Sequence, residues 1–381
     1  MAVKSAAKPP VAWIRGIFRD LPAMCVSLHG PQTRGGKSVK RFDWIDALRG
    51  YAIIGVVITH LGLLGPPAPV QLFFLASGIA LMYSYESHGS SGANQFYVRR
   101  FFRIAPMFWA SIPIFYVTDL IRAEPTADIA QIVSAVTFTH WLKPQWNNSA
   151  VPGSWSIACE VLFYLFFPFV AARVANIRQG IGLVVASVAL AACLWPILVL
   201  YADWMGVADI RRQHSFAFYS FSTQAPCFAI GIVVFRLLDK KRPNGLTVGL
   251  FGAVAIVALW WLFPPEHRDR PFLVSTAAYG AIAYALGNGK LGILVTRPIC
   301  WIGLVSYSAY FWHFVVINLS GYLPGVGGIE RTVLVIPAVT LALSTLTYLA
   351  VERPMMRVGA RLASATTRPP PGPSNQMKVA G

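Results

Sequence analysis

Charge is scarce in this 381-residue chain: Asp, Glu, Lys and Arg make up 12% of it, against 56% hydrophobic residues. Soluble domains carry about 25% charged residues, so the composition excludes an ordinary water-soluble protein and describes a polytopic membrane protein. Acidic residues are scarcer than basic ones, 15 against 32, leaving a net charge of +17. Cysteine is sparse and unpatterned. The five residues (Cys25, Cys159, Cys193, Cys227, Cys300) form no CxxC pair and four stand in apolar runs, which argues against a zinc site or a disulfide framework and for small core residues. A secretory leader pattern is also missing. Residues 1–40 contain Pro9, Pro10, Pro22 and Pro31 and only two short apolar patches, at 11–18 and 21–28; a leader needs a longer apolar core and a small-residue cleavage site.

What is present is apolar length. Ten segments reach spanning length: 44–64, 68–85, 104–121, 155–175, 180–201, 216–238, 245–263, 271–287, 299–318 and 331–351. An eleventh, 129–142, is too short to span and suits the membrane interface or a re-entrant turn. With the N-terminus in the cytoplasm, the inner loops and termini hold 24 Lys and Arg and the outer loops hold 7, with Arg49 inside the first span. That asymmetry is the positive-inside pattern. It assigns the basicity to topology rather than to nucleic acid, and it supports an even number of spans. The expectation is an all-α, multi-pass integral membrane protein of about ten helices with both termini cytoplasmic. Residues 1–40 form a basic cytoplasmic extension partly on the anionic membrane surface, 41–358 the membrane domain, and 359–381, with PPPGP, a disordered cytoplasmic tail.

Polar residues inside spans are costly and mark function. The first span carries Asp46, Arg49 and His60. Arg49 and His60 are eleven positions apart, which on a helix places them on one face about 16 Å apart along the axis. In the orientation above, Arg49 lies toward the cytoplasm and His60 in the outer half. Glu160 of the fourth span and His313 of the ninth reach the same outer depth, so three titratable groups from distant segments are expected to converge on one site.

Five motifs, IDALRGYAIIGVVITH (45–60), FYVRRFFRIAP (96–106), WSIACEVLFYLFFP (155–168), IGLVSYSAYFWH (302–313) and VERP (351–354), resemble those of the membrane acyltransferase-3 family, whose members include bacterial O-acetyltransferases of surface polysaccharide, lipopolysaccharide and Nod factors. The resemblance runs in order along the whole membrane region. It implies ten helices, both termini cytoplasmic, and transfer of an acyl group from acyl-CoA, with acetyl-CoA the expected donor, to a sugar hydroxyl. On this resemblance Arg49 and His60 match the family's first-helix pair, Arg100 and Arg103 its R-x-x-R motif with Arg99 adjacent, and Trp155, Ser156 and Glu160 its W-S-apolar-x-x-E motif. One departure is the second span, PVQLFFLASGIAL, which lacks the usual Gly and aliphatic run before its Phe pair. No appended hydrolase-like domain follows, so the acceptor site is expected within the membrane domain.

The residue types suit this chemistry on their own. Acyl transfer from a thioester to an alcohol needs a base for the hydroxyl proton and stabilisation of an oxyanion. His60 suits the base, Arg49 the charge in the channel, and Arg99, Arg100 and Arg103 the phosphates of CoA. Glu160 is expected to orient or polarise His60 or to bind the acceptor, and Trp155, Ser156 and His313 to meet the acceptor. No metal is expected. Other roles compete. His60 also fits a packing histidine bonded to a backbone carbonyl, Arg99, Arg100 and Arg103 positive-inside anchors, Glu160 a structural ion-pair partner, His313 helix packing, Trp155 an interfacial belt, Asp46 a partner of Arg49 or Arg103, and Glu352 with Arg353 a helix-end pair. At the level of function, a succinyl or other acyl donor and a secondary transporter or glycolipid exporter are the alternatives. A transporter predicts internal repeats, and none is evident. The expected location is the bacterial inner membrane, with membrane lipids, acyl-CoA and a glycan or lipid-linked oligosaccharide as partners and no nucleic acid.

Overall fold

The computed structural model describes residues 42–63, 65–88, 93–239, 244–263, 271–322 and 328–365; the N-terminal extension expected at 1–40 lies outside them. Its elements in chain order are α1 (Asp43–His60), α2 (Pro69–His88), α3 (Ala93–Arg122), α4 (Ile129–Val136), α5 (Ser154–Arg173), α6 (Ile177–Trp204), α7 (Ile210–Phe218), α8 (Phe221–Leu238), α9 (Gly245–Leu262), α10 (Phe272–Gly287), α11 (Arg297–Leu304), α12 (Ser306–Ser320) and α13 (Gly328–Ser364). Each of the ten expected apolar segments is helical, and no strand occurs among the described residues. Six stretches are long and apolar enough to cross a membrane, namely α3, α5, α6, α7 with α8, α9 and α13. The pair α11 and α12 makes a seventh if counted as one bent span. The charges Asp43, Asp46 and Arg49 keep α1 below that measure.

The outward faces confirm the solvent. Leu200 is 68% exposed on α6, Phe251 72% and Trp261 79% on α9; large apolar side chains uncovered along whole helices belong against lipid rather than water. The chain is an integral, multi-pass membrane protein.

Inside, the helices meet where side chains are small, because lipid gives no hydrophobic drive for helices to associate and close van der Waals packing must supply it. The tightest approach joins α1 to α11. A Cβ on Gly303 would stand 1.8 Å from the Asp46 carbonyl oxygen, and one on Gly50 2.4 Å from that of Ile299. The helix starts use local chemistry. Asp128 and Gln131 form a reciprocal capping box on α4, Asn176 caps α6 and Ser220 caps α8. The short 129–142 segment folds as α4 followed by turns, with Ile129 81% exposed.

Two features depart from the sequence expectation. The ninth segment is not one straight span: it bends by 76° between α11 and α12, at Val305. The last helix also runs past the boundary expected at 358, remaining helical over Arg353–Ala365, with Ala363 fully buried. Within α13, two π turns interrupt the α-helix, Arg331–Val335 and Tyr348–Glu352.

Candidate functional site

Five of the helices turn polar side chains toward one small cavity, of about 70 Å3. Its wall contains Arg49 from α1, Ser77 from α2, Arg100 and Arg103 from α3, Ser156, Glu160 and Tyr164 from α5, and Tyr307 and Tyr310 from α12, with Val70, Phe73 and Phe74 supplying apolar surface. Three guanidinium groups and one carboxylate line it, a cationic pocket among apolar helices.

Helical spacing accounts for much of the arrangement. Arg100 and Arg103 are neighbours on α3 at i and i+3, as are Asp46 and Arg49 on α1, where the ion pair is 3.8 Å. Arg100 donates to Ser84 Oγ at 3.2 Å and its guanidinium lies over the rings of Phe96 and Tyr164 at 5.6 and 5.7 Å. Such stacking holds a guanidinium plane without consuming all its donors. Arg103 faces Glu352 Oε2 at 3.8 Å and Met356 Sδ at 3.0 Å. Glu160 Oε1 accepts from Tyr164 Oη at 2.5 Å and from Ser77 Oγ at 3.0 Å, two donors that hold the carboxyl group in place.

The histidines form a second cluster. His60 is the last residue of α1 and is exposed; His313 is fully buried. Their ring centroids are 5.1 Å apart, and Phe314 lies 4.7 Å from His60 and 4.0 Å from His313. His60 Nδ1 is 2.9 Å from the Val56 carbonyl and His313 Nδ1 3.0 Å from that of Ala309. A carbonyl only accepts, so each Nδ1 carries a proton, which leaves Nε2 as the ring nitrogen that could act as a base. His313 Nε2 has no hydrogen-bond partner among the described residues.

Tyr310 connects the two clusters. It lines the cavity, and its ring is 5.9 Å from that of His313. Its hydroxyl donates to the Gly153 carbonyl at 3.1 Å and lies 3.0 Å from Ser156 Oγ. Gly153 has φ +77°, in the left-handed region that glycine enters freely, and starts α5 directly beneath this tyrosine.

Of the residues singled out from the sequence, Arg49, Arg100, Arg103, Ser156 and Glu160 share the cavity, and His60 meets His313 beyond Tyr310. Glu160 stands with the arginines rather than with the histidines. Trp155 is packed in the core, stacked on Tyr219 at 4.5 Å, and Arg99 turns to Gln95 at 3.5 Å; neither lines the cavity. Sequence reasoning passed over Ser77, Tyr164, Tyr307 and Tyr310. Tyr164 was legible, since it stands one turn after Glu160; the others depend on how distant helices pack. Among the described residues no group of three or more His, Cys, Asp or Glu side chains gathers as a metal site.

A family profile described as "Acyltransferase domain" matches residues 42–351. The chain is 25% identical to the peptidoglycan O-acetyltransferase OatA of Listeria monocytogenes, over 83% of this chain and 56% of that protein. It is 23% identical to a Staphylococcus aureus (strain COL) protein provisionally named O-acetyltransferase SACOL0978, over 87% of this chain and 60% of that one. It is also 25% identical to a Komagataeibacter xylinus protein provisionally named membrane-bound transacylase BcsY, over 81% of each. The chain thus spans about 60% of the length of the first curated relatives it matches. No solved structure matches it. With a profile match over residues 42–351, most of its length, this chain belongs to the membrane acyltransferase-3 family.

Proposed function

We propose that this protein is a membrane O-acyltransferase that moves an acetyl group from acetyl-CoA to a sugar hydroxyl of an envelope glycan, such as a polysaccharide, lipopolysaccharide or lipochito-oligosaccharide, in the bacterial inner membrane. The observation that carries the reading is the cationic cavity of Arg49, Arg100 and Arg103 separated by Tyr310 from the paired imidazoles of His60 and His313. In a ten-span topology with both termini cytoplasmic, the cavity's arginines lie toward the cytosol and the histidines toward the far side. Arg100 and Arg103 hold the phosphates of CoA, with Arg99 at the perimeter adding to the local field. The thioester arm passes Arg49 toward Tyr310.

His60 Nε2 takes the proton of the acceptor hydroxyl as its oxygen forms a bond to the thioester carbonyl carbon. The oxyanion that develops draws stabilisation from the cavity's cations, Arg49 in particular. The C–S bond then breaks, the acetyl ester is complete, and the CoA thiolate leaves with the proton that the imidazolium returns. Glu160, held by Tyr164 and Ser77, balances the arginines and keeps them aimed into the cavity. Ser156 and His313 meet the acceptor where the two clusters join.

Membranes carrying the protein, supplied with labelled acetyl-CoA and a glycan acceptor, test the reading. Label should enter the glycan as an alkali-labile ester, and His60→Ala should abolish it at equal protein level. Undiminished acetylation by His60→Ala would remove His60 as the base. Labelled succinyl-CoA in place of acetyl-CoA reports the acyl class, and glycan movement without any acyl transfer would point to an exporter instead.

A further inference from the structure

One buried titratable group that this chemistry leaves unused is Glu352. It is 1% exposed, and a carboxylate is almost never buried to that degree without partners. It closes the π turn Tyr348–Glu352, a helix distortion that concentrates at functional sites. Its two oxygens face different ways. Oε1 accepts from the Ser308 backbone N–H at 3.0 Å and from Ser308 Oγ at 2.5 Å. Oε2 accepts no hydrogen bond among the described residues and faces Arg103 Nη1 at 3.8 Å. Glu352 is therefore not simply a helix-end partner of Arg353.

The bend at Val305 explains why Ser308 has an N–H to give. A helix restarted at Ser306 leaves the N–H groups of its first turn without carbonyl partners, and the positive end of its dipole favours a nearby anion. Glu352 answers both needs. The helix it caps, α12, carries Tyr307 and Tyr310 of the cavity wall and His313 of the imidazole pair. One carboxylate thus touches the arginine cavity through Arg103 and the histidine cluster through the start of α12.

We propose that Glu352 is a positioning residue that registers the donor-binding arginine against the helix bearing the histidine. The proposal rests on the acyl-CoA reading above. Glu352 reaches no reacting atom; it fixes where Arg103 points and where α12 begins.

The test is a double-mutant cycle on the purified full-length protein in lipid nanodiscs, comparing wild type, E352Q, R103Q and the double variant. Donor KM and kcat with acetyl-CoA, and CoA affinity by calorimetry, are the readouts. Glutamine retains an acceptor for Ser308 but loses the charge facing Arg103. E352Q should raise donor KM and weaken CoA about 10-fold, and cost less than about 3-fold in the R103Q background, where its partner is already gone. S308A should instead lower kcat with donor KM near wild type, because it loosens α12 and leaves the charge pair. Equal factors for E352Q in both backgrounds, or no effect of E352Q, would overturn the proposal. Should E352Q fail to accumulate, S308A against R103Q runs the same cycle through the hydroxyl arm, and a shared effect on kcat and KM would overturn it. A wild type that binds CoA but transfers no acetyl group sinks the reaction assigned above while the CoA-affinity cycle still decides the role of Glu352. A wild type that binds no CoA overturns both.

Discussion

Gly153→Ala is a small change whose consequence follows from the geometry beneath Tyr310. Two penalties add. The first is conformational: at φ +77° an L-residue with a Cβ pays about 1–2 kcal/mol. The second is steric, since the new Cβ would lie 2.7 Å from Tyr310 Oη, 3.0 Å from Tyr310 Cε1 and 3.1 Å from Phe314 Cε2, and overpacking of this kind costs about 1–3 kcal/mol. The expected destabilisation is therefore about 2–5 kcal/mol, read as a lower thermal midpoint by tryptophan fluorescence of the detergent-purified protein. Activity should fall as well, because Phe314 packs on both histidines and Tyr310 lines the cavity. The two penalties can be separated. Tyr310→Phe deletes the hydroxyl that makes the shortest contact, so Gly153→Ala should cost less in a Tyr310→Phe background than in wild type, while the backbone cost remains. Equal losses in the two backgrounds, or wild-type stability for Gly153→Ala, would refute the steric account.

Other perturbations have equally definite outcomes. Tyr164→Phe leaves Glu160 Oε1 with Ser77 as its remaining donor; losing a hydrogen bond costs about 0.5–1.5 kcal/mol, so acyl transfer should fall by about 2- to 10-fold with protein level unchanged, measured by label incorporation. Arg236 is 9% exposed, donates through Nε and Nη2 to the Val174 carbonyl at 2.9 and 2.6 Å, and pairs with Glu86. Arg236→Ala should lower the thermal midpoint by the equivalent of about 1–3 kcal/mol for the carbonyl left unsatisfied. His140 lies outside the spans, is 1% exposed, and donates through Nε2 to the Ser154 carbonyl at 3.0 Å; burial pushes it below the ordinary histidine range. Its unfolded form takes up a proton first as pH falls, so the native state loses stability below about pH 6.5, by up to about 1.4 kcal/mol per unit. Thermal midpoints of His140→Gln should fall less steeply than wild type over that range.

The contrast between what could and could not be read from the chain has a physical basis. Arg49 was legible because a guanidinium in an apolar run is too costly to be incidental, and Arg100 and Arg103 because i, i+3 spacing fixes them on one helix face. Convergence was harder. Helix periodicity gives rotation and rise within one element but not the distance between elements, so Glu160, placed at the depth of His60 by counting residues, stands with the arginines instead. Trp155 shows the same limit: its neighbour Ser156 faces the cavity, and one step of about 100° around α5 turns the indole onto Tyr219.

The bend at Val305 was the least legible feature, and the site depends on it. Hydropathy sums over a window and registers no discontinuity in residues 299–318, where neither Gly nor Pro marks the turn between Leu304 and Ser306. What holds the bend is nonlocal. Gly303 lets α11 close against the Asp46 carbonyl of α1, and Glu352, nearly fifty residues downstream, occupies one of the N–H groups that the restart exposes, that of Ser308. Because α11 is tied to the Arg49 end of α1 while α12 carries His313 back to the His60 end, one broken segment touches both ends of the same helix. Moving Gly303 off the α1 backbone should therefore disturb both ends at once. Gly303→Ala, with a Cβ that has nowhere to go, is expected to lower donor affinity and kcat together, whereas loss of kcat alone would mean that the two halves of the bend move independently.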